Sequence, residues 1–375
     1  MMRGKIGDYI EEYSFRNKSD EPIPVYSVTN SRGFCVGYFD KDVASKDKTN
    51  YKIVPRGYLA YNPSRINVGS IGLQNVEDRV QVSPLYVVFK IKEGVHSSYL
   101  FHYLKSDIGL RYIAHYAAGS VRDTLKFSDL AKIPLRIPSM TEQARIVATI
   151  EHMDSLILLR EQQLKKLDQL VKARFVELFG DPVLNPMGWE ESTLSGRCEV
   201  ITGNTPPRVD KENYGAHIEW IKSDNINTPS MYLTKATEYL SDIGMKKSRH
   251  VEAGSILMTC IAGSINCIGN VAVADRPVTF NQQINAIVPG EDEPLYLYVL
   301  MLLSKPLIHR RTNLMLKGIL SKNKLCAIKF PFPPLSLQKE FSSFVSHIES
   351  LKSPIRASLS ELQTLKKSLM QAYFA

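Results

Sequence analysis

Residues 133–143 read IPLRIPSMTEQ, and residues 328–338 read IKFPFPPLSLQ. Each stretch is an apolar, proline-rich extended run, followed by a short polar cap and a glutamine that opens a helical pattern. Gln338 lies 195 residues after Gln143. This spacing is far longer than the roughly 20 to 50 residues of a solenoid repeat, so it predicts two tandem domains related by pseudo-twofold symmetry.

The duplication extends on both sides of these runs. Downstream, the same spacing pairs Ile150 with Val345 and Phe179 with Phe374. Upstream, VPRGYLAY at 54–61 resembles VEAGSILM at 251–258, and each is a polar turn with a glycine followed by an apolar strand. The repeat unit therefore includes a globular part as well as a helix.

The first helix is predicted to begin near Thr141, which can cap the free amides, because Pro138 disfavours helix before it. At 1.5 Å per residue, a helix from there to Phe179 is about 60 Å long, and Gly180 is a typical terminator. Its apolar residues alternate at spacings of four and three, which is a heptad pattern: Ile146, Ile150, Met153, Ile157, Leu164, Leu167, Val171 and Leu178.

The second helix carries the same stripe, with Lys352 and Pro354 as interruptions. A proline inside a helix removes a hydrogen bond, so we expect a kink or break near Pro354. A long, narrow apolar seam needs a partner, and the other copy has the same period. We therefore expect an antiparallel coiled coil within the chain; the alternative is that each helix packs only on its own domain.

The segments outside the helices mix short strands, such as LYVVFKI and GSILMTCI, with one helical stretch before each proline-rich run. The predicted fold class is α/β (α+β), with two globular domains in tandem, separated by two long helices. The predicted boundaries are 1–135 for the first domain, 136–182 for the first spacer helix, 183–330 for the second domain and 331–375 for the second spacer helix.

Composition narrows the class of protein. A chain of 375 residues with 44% hydrophobic and 23% charged residues is typical of folded domains, and a net charge of +9 favours a polyanionic partner. The five scattered cysteines indicate neither a disulfide framework nor a zinc ribbon. The first residues lack an apolar signal region, and no stretch is long enough to span a membrane, so we expect a cytoplasmic protein.

Motifs for catalysis were sought and not found in the sequence. Asn62, Pro63 and Ser64 match only the start of the N-P-P-aromatic motif of adenine methyltransferases, and a simple turn explains them better. There is no G-x-x-x-x-G-K-[ST] phosphate loop, no nuclease constellation and no H-E-x-x-H spacing. We therefore expect no catalytic residues, no metal and no cofactor.

Basic and polar residues in the predicted loops remain as candidates for contact with DNA. Arginine pairs with guanine edges and asparagine with adenine, whereas lysine and serine more often hold phosphates. The candidates are Arg32, Lys52, Arg65, Asn67, Arg79, Arg122 and Lys126 in the first domain, and Asn204, Thr205, Arg208, Lys222, Ser223, Asn225, Lys246, Lys247, Arg249, Lys317 and Lys322 in the second.

This arrangement resembles the specificity subunits of type I restriction-modification enzymes across essentially the whole chain. In the second domain, GNTPPRVDKENYGAHIEWIKSDNIN at 203–227, TEYLSDIGMKKS at 237–248, GSILMTCIAGSINCIGNVAVAD at 254–275 and FNQQINAIVP at 280–289 look like a target recognition domain of that family. YKIVPRGYLAYNPSRINVGSIGL at 51–73 resembles another common style of such domains.

The resemblance implies that each globular part recognises one half of a split site in double-stranded DNA. It also implies that the helices set the gap and dock two methyltransferase subunits, which motor-nuclease subunits then join. It implies no catalysis by this chain. Two alternatives remain open at this point: a single-chain methyltransferase or nuclease with unrecognised motifs, and a coiled-coil scaffold that binds DNA without sequence preference.

Overall fold

A computed structural model of the chain describes residues 2–18, 21–36, 49–117, 124–313 and 318–375. The chain divides into two compact units, of which unit 1 is Met1–Glu161 with Ala357–Ala375, and unit 2 is Gln162–Arg356. Each unit combines one globular part, the beginning of the long helix that follows it, and the end of the other long helix.

The first globular part and the long helix after it contain the following elements. The strands are β1 (Met2–Lys5), β2 (Ile10–Glu12), β3 (Ser27–Thr29), β4 (Gly33–Cys35), β5 (Lys52–Pro55), β6 (Leu59–Tyr61), β7 (Ile71–Leu73), β8 (Arg79–Val82), β9 (Val87–Ile91) and β10 (Pro134–Ile137). The helices are α1 (Ile6–Tyr9), α2 (Ser97–Lys105), α3 (Asp107–Ala117), α4 (Phe127–Leu130) and α5 (Met140–Phe179), with a 3-10 turn at Ile66–Val68.

The second globular part and the long helix after it contain the remaining elements. The strands are β11 (Glu191–Thr193), β12 (Cys198–Thr202), β13 (Tyr214–Ile221), β14 (Tyr239–Leu240), β15 (His250–Val251), β16 (Ile256–Thr259), β17 (Ile261–Ala262), β18 (Val271–Val273), β19 (Val278–Phe280), β20 (Ile284–Pro289), β21 (Gly318–Ile319) and β22 (Lys329–Pro331). The helices are α6 (Leu194–Arg197), α7 (Asp242–Lys246), α8 (Pro294–Leu303), α9 (Lys305–Arg311), α10 (Lys322–Cys326) and α11 (Leu335–Phe374), with 3-10 turns at Lys211–Asn213, Ser223–Asn225 and Ile265–Cys267.

The two globular parts share one topology. A four-stranded antiparallel sheet runs in the order β2-β9-β6-β7 in unit 1 and β12-β20-β16-β18 in unit 2. A two-stranded sheet pairs β1 with β10 and, correspondingly, β11 with β22. The aligned turns carry Gly57 and Gly254 at φ of +83° and +91°, a backbone conformation that favours glycine. The predicted duplication of α+β domains is confirmed.

Each four-stranded sheet separates two hydrophobic clusters, because successive strand residues point to opposite faces. Leu59 packs with α2 and α3 on one face, whereas Ala60 packs with β5 and β8 on the other. Ile256 and Leu257 divide in the same way in unit 2. Each globular part is therefore layered as helices, a central sheet and smaller strands.

Within unit 1, α5 and α11 run antiparallel. Arg145 of α5 lies over the ring of Tyr373 of α11, and Asp154 of α5 pairs with Lys366 of α11. Residue numbers therefore increase along α5 while those of the contacting residues on α11 decrease. The core of the unit contains Ile150 of α5 together with Phe374 of α11. The alternative in which each helix packs only on its own domain is thereby excluded for this unit.

Within unit 2, the same two helices pair in the same sense. Asp168 pairs with Lys352, and Arg174 donates to Glu340 at 2.9 Å. The ring of Phe179 contacts Tyr296 of α8 with ring centroids 5.1 Å apart, as Phe374 contacts Tyr99 of α2 at 5.4 Å in unit 1. The predicted antiparallel helix pair is confirmed inside each unit.

Two details of the helices differ from the sequence expectation. Helix α5 begins at Met140, because the Ser139 hydroxyl, not Thr141, accepts from the Glu142 amide at 3.3 Å. Helix α11 is continuous through Pro354, so the expected break there is wrong. The backbone loses one hydrogen bond at the proline, but Lys352 is only 2% exposed and pairs with Asp168 and Glu349, which holds this part of the helix.

The glutamine at the start of each long helix is fully buried and joins it to the globular part. Gln143 donates to the carbonyls of Pro138 and Gly94, both at 3.0 Å, and accepts from the amide of His96 at 2.8 Å. His96 is the N-cap residue of α2. One side chain therefore fixes both the turn before α5 and the start of α2.

Gln338 makes the corresponding contacts in unit 2. It donates to the Pro333 carbonyl at 2.9 Å and to Asp292 at 2.8 Å, and it accepts from the amide of Glu293 at 3.0 Å. Glu293 is the N-cap residue of α8. We call Gln143 and Gln338, with these partners, the glutamine clamps.

We predict that replacing Gln143 with alanine destabilises unit 1 by about 2 to 4 kcal/mol, because a buried amide and two carbonyls lose their partners. Urea unfolding of the full chain, with hydrogen exchange of the α2 amides, measures the effect. Gln169→Ala, at an exposed position of α5, is the matched control and should change stability by less than about 0.5 kcal/mol. Equal effects of the two substitutions would contradict the role of the clamp.

One core position differs chemically between the units. His102 in α2 is 7% exposed, and burial lowers its pKa to about 4 although Asp154 acts in the opposite direction. Val299 in α8 occupies the corresponding position, 197 residues later, as Tyr296 corresponds to Tyr99. Unit 1 thus carries a buried neutral imidazole where unit 2 carries an aliphatic side chain.

Because the pKa of His102 is lower in the folded chain than the usual 6.5, the unfolded chain takes up the proton first as the pH falls. The contribution of His102 to stability is complete above about pH 6.5 and decreases towards pH 4, by up to about 3 kcal/mol. His102→Val, which copies unit 2, should flatten this part of the stability profile measured by urea unfolding. An unchanged slope between pH 6.5 and 4 would show that other groups control it.

Candidate nucleic-acid interface

The candidate residues of unit 1 lie on separate elements. Arg32 is exposed in the turn between β3 and β4, and Lys126 is exposed at the start of α4. Arg65 and Asn67 are exposed around the 3-10 turn that follows β6. Arg122 lies outside the described residues. These positions offer several exposed points of positive charge.

Two of the unit 1 candidates have partners within the fold. The Lys52 ammonium donates to the Tyr86 carbonyl at 2.7 Å, and burial lowers its pKa, so this side chain holds β5 against the segment after β8. Arg79 pairs with Glu21 at 3.0 Å, and both side chains are about half exposed. Lys52 is therefore a structural residue in this conformation, whereas Arg79 remains accessible.

An aromatic surface beside Arg79 was not predicted. The Tyr13 ring stacks on Phe15 with centroids 6.2 Å apart and meets Tyr58 edge-on at 5.0 Å. Phe15 is 65% exposed. Burial raises the pKa of Tyr13, while the charge of Arg79 acts in the opposite direction. An exposed aromatic group beside an arginine suits a binding surface better than a core.

The candidates of unit 2 converge around Trp220 on β13. The Trp220 indole donates to the main-chain carbonyl of Asn204 at 3.3 Å. The Asn204 side chain donates to the Lys247 carbonyl at 3.0 Å and accepts from the Arg249 amide at 2.9 Å. Gly203 makes this possible, because a side chain there would meet the Asn281 carbonyl. The loop at 203–208 and the segment at 247–249 are thus joined.

Arg208 and Lys222 both lie over the Trp220 ring, with their charged atoms 5.4 and 5.3 Å from its centroid. Both pair with Glu238, Arg208 at 3.0 Å. Hydrogen bonding to Lys222, and then to Arg208, lowers the pKa of Glu238, so this carboxylate is ionised between two cations. We call Trp220, Tyr214, Arg208, Lys222 and Glu238 the tryptophan cluster.

Two asparagines among the candidates have partners within the fold. Both ends of the Asn204 amide are occupied as described above. Asn225 is 7% exposed; its side chain accepts from the Lys222 amide at 3.0 Å and donates to the Lys235 carbonyl at 3.1 Å. In this conformation, both side chains shape the loops that carry the cations.

The other candidates of unit 2 lie on several elements. Thr205 hydrogen-bonds to Gln282, Ser223 begins a 3-10 turn, and Arg249 donates to the Thr202 carbonyl. Lys246 pairs with Asp242 at 2.6 Å, and Lys247 with Glu212 at 3.4 Å. Lys322 is exposed at the start of α10. Lys317 lies outside the described residues.

The sequence analysis did not single out four residues that contact the candidates: Trp220, Tyr214, Glu238 and Gln282. The first two stand in the segment 203–227, where aromatic residues alternate with basic ones, and this alternation was the available signal. Glu238 had no such signal, because its two partners are 30 and 16 residues away in the chain.

The residues that the structure describes also bear on metal binding and on membrane insertion. Among these, no group of three or more histidine, cysteine, aspartate or glutamate side chains is placed to hold a metal ion. No described helix is both long and apolar enough to cross a membrane.

The family model of the type I restriction modification DNA specificity domain matches the chain twice, over residues 9–169 and 186–362. The chain therefore belongs to this family. Each match combines most of a globular part with most of the long helix that follows it.

Two curated relatives and one solved structure are similar. The type I restriction enzyme HindI specificity subunit of Haemophilus influenzae is 34% identical over 110 residues, which are 29% of this chain and 23% of that protein. The putative MjaX specificity subunit of Methanocaldococcus jannaschii is 21% identical over 363 residues, 89% of this chain and 81% of that one. The alignment to the Haemophilus protein thus spans about a quarter of its length.

The solved structure is the S subunit of a type I restriction-modification system from M. genitalium, with a TM-score of 0.59 and 14% identity, over 100% of this chain and 96% of that one. At this identity the similarity concerns the fold alone.

Proposed function

We propose that this chain is the specificity subunit of a type I restriction-modification complex, in which each unit recognises one half of a bipartite double-stranded DNA site. Recognition is assigned to residues 1–135 and 183–330, and docking to the helical segments 136–182 and 331–375. The chain contributes no catalysis, needs no cofactor and works in the cytoplasm. Methyltransferase subunits, and then motor-nuclease subunits, supply the chemistry.

The observation that carries the proposal is a shared scaffold with different side chains at a corresponding position of the outer strand layer. In unit 1, Val25 bridges in parallel to Gln81 of β8; in unit 2, Trp220 pairs in parallel with Thr279 of β19. The strands β8 and β19 occupy corresponding places, because each pairs with the strand before the glycine turn. Val25 in unit 1 and Trp220, the centre of the tryptophan cluster in unit 2, thus occupy corresponding positions. Two domains that recognise different half-sites need different side chains at such positions.

The helices offer a surface for the proposed methyltransferase subunits. Apolar side chains that are about half exposed lie on the helix segments of each unit. In unit 1 they are Leu158, Leu159 and Leu365, and in unit 2 they are Leu170, Val176 and Leu351. Exposed leucines on helices that already bury one face favour packing by a further helical partner.

Two alternatives are tested directly. A single-chain enzyme would modify or cut DNA when the pure chain is incubated with S-adenosylmethionine, or with Mg²⁺ and ATP, whereas the proposal expects neither product. A scaffold without sequence preference would bind random and selected DNA equally. A specific reader should prefer its site by about 10³-fold or more.

DNA binding is predicted to weaken steeply with salt, because lysines and arginines that neutralise phosphates release condensed counterions. Titrations of duplex DNA at several salt concentrations, with the chain in complex with its methyltransferase partner and with the partner alone, measure the slope. The complex should show the steeper decline. A slope near zero for the complex would remove the nucleic-acid interpretation.

Exchange of residues 1–135 for the corresponding part of another family member should change one half-site and leave the other unchanged. The donor part must supply the backbone partners of Gln143, since the clamp otherwise fails. Methylome sequencing of cells that express the exchanged chain with its methyltransferase identifies both half-sites. The reciprocal exchange of residues 183–330 is the control, and a change in both half-sites after either exchange would refute the two-reader model.

A further inference from the structure

The tryptophan cluster holds one arginine in a defined plane. The Arg208 guanidinium lies 5.3 Å from the centroid of the Tyr214 ring and 5.4 Å from that of Trp220, and its side chain is 60% exposed. A delocalised guanidinium stacks on aromatic faces, and this contact restricts its orientation more than a flexible surface arginine would be restricted. Arg208 is thus both oriented and accessible.

The ion pair with Glu238 fixes the remaining freedom of Arg208 and leaves its pairing edge available. Only Nη2 donates to Glu238 in the described contacts, at 3.0 Å. A guanidinium has five donor hydrogens in one plane, so Nη1 and the second hydrogen of Nη2 form an end-on fork. Such a fork matches the O6 and N7 acceptors of guanine in the major groove.

Lys222 completes the arrangement by neutralising the same carboxylate. Its ammonium pairs with Glu238 and its side chain is 28% exposed, less than half the exposed fraction of Arg208. Two cations on one carboxylate leave the cluster with a net positive charge. Glu238 therefore holds Arg208 without presenting an uncompensated negative charge to DNA.

The neighbouring cations are less suited to reading a base. Lys246 and Lys247 are point charges paired with acidic neighbours, and lysine more often holds phosphate. Arg249 is exposed and donates to the main-chain carbonyl of Thr202, but of these two arginines it is Arg208 whose guanidinium lies over aromatic rings in the described contacts. Within the cluster and its surroundings, Arg208 is the residue whose geometry matches a base edge.

We infer that Arg208 recognises a guanine in the half-site read by unit 2, with Trp220, Tyr214 and Glu238 as positioning residues. The inference rests on the proposed function and adds one base to it. It assigns Arg208 to sequence discrimination, and Lys246 and Lys247 to contacts that do not depend on sequence.

The test uses the full chain in complex with its methyltransferase partner and a library of randomised duplex DNA. The half-site of unit 2 is the one that changes when residues 183–330 are exchanged. The parent is expected to require a guanine there. Arg208→Lys and Arg208→Ala should reduce the preference for that guanine by about 5- to 150-fold, which corresponds to one bidentate pair, and leave the other half-site unchanged.

Two further variants separate reading from charge. Lys246→Ala, the matched control from the same unit, should weaken binding to all sequences alike and reduce the salt slope by about one. Glu238→Gln removes a negative charge, so a purely electrostatic role predicts tighter binding to every sequence. The positioning role instead predicts weaker discrimination for guanine at this one position.

The outcomes distinguish failure of the proposed function from failure of the Arg208 assignment. A parent complex that selects no sequence would overturn the proposed function and this inference together. A specific parent whose unit 2 half-site lacks guanine, or whose motif is unchanged in Arg208→Lys and Arg208→Ala, would overturn the inference alone. Loss of guanine preference with both half-sites otherwise intact supports it.

Discussion

The buried side-chain amide at the start of each long helix determines how that helix leaves its globular part. Gln143 and Gln338 each donate to a carbonyl five residues earlier, and each accepts from the N-cap residue of the helix that covers the central sheet. An amide suits this place because it donates and accepts at once. An aliphatic side chain of the same size would leave buried backbone groups without partners, which costs more than the bonds themselves contribute. Each clamp thus fixes its long helix to its central sheet.

Pairing of the long helices within each unit then depends on a seam that is partly charged. Lys366 pairs with Asp154 in unit 1, and Lys352 pairs with Asp168 and Glu349 in unit 2. Burying a lysine is unfavourable unless its charge is compensated, so these pairs contribute little net stability. They do penalise any other register, because a shifted helix would leave the ammonium of the 2% exposed Lys352 unpaired. The charges that interrupt the heptad pattern therefore favour one alignment of the helices.

The sequence was sufficient for features that depend on local pattern. The period of apolar residues predicted both long helices, and the repeated proline-rich runs predicted the duplicated domains. The expected break at Pro354 failed because contacts from α5 and from neighbouring turns hold the helix on the N-terminal side of the proline. The capping residue was misplaced by two positions, since Ser139 and Thr141 are equally suitable in sequence and only the backbone path distinguishes them.

The arrangement of the candidate interface residues depends on contacts between segments that are far apart in the sequence. No local sequence pattern records such contacts. Asn204 and Asn225 were expected to read bases because of their residue type, yet their amides are occupied by backbone groups up to 45 residues away. Arg208, Lys222 and Glu238 come together only when the loop after β12, strand β13 and the segment before β14 meet. Residue type alone therefore identified most of the basic side chains near Trp220. The fold determined that Arg208 is the one whose guanidinium is held in a defined orientation.

The layered scaffold explains how exposed groups can differ between the units while the helices stay the same. In unit 2 the clamp and α8 lie on one face of the central sheet, with Ile256, and the strands β13 and β19 lie on the other, with Leu257. A substitution such as valine for tryptophan at the position of Trp220 alters the second layer, and the central sheet lies between that layer and the clamp. Because corresponding faces occur in unit 1, each unit can acquire a different exposed surface without change to the contacts that hold its long helices.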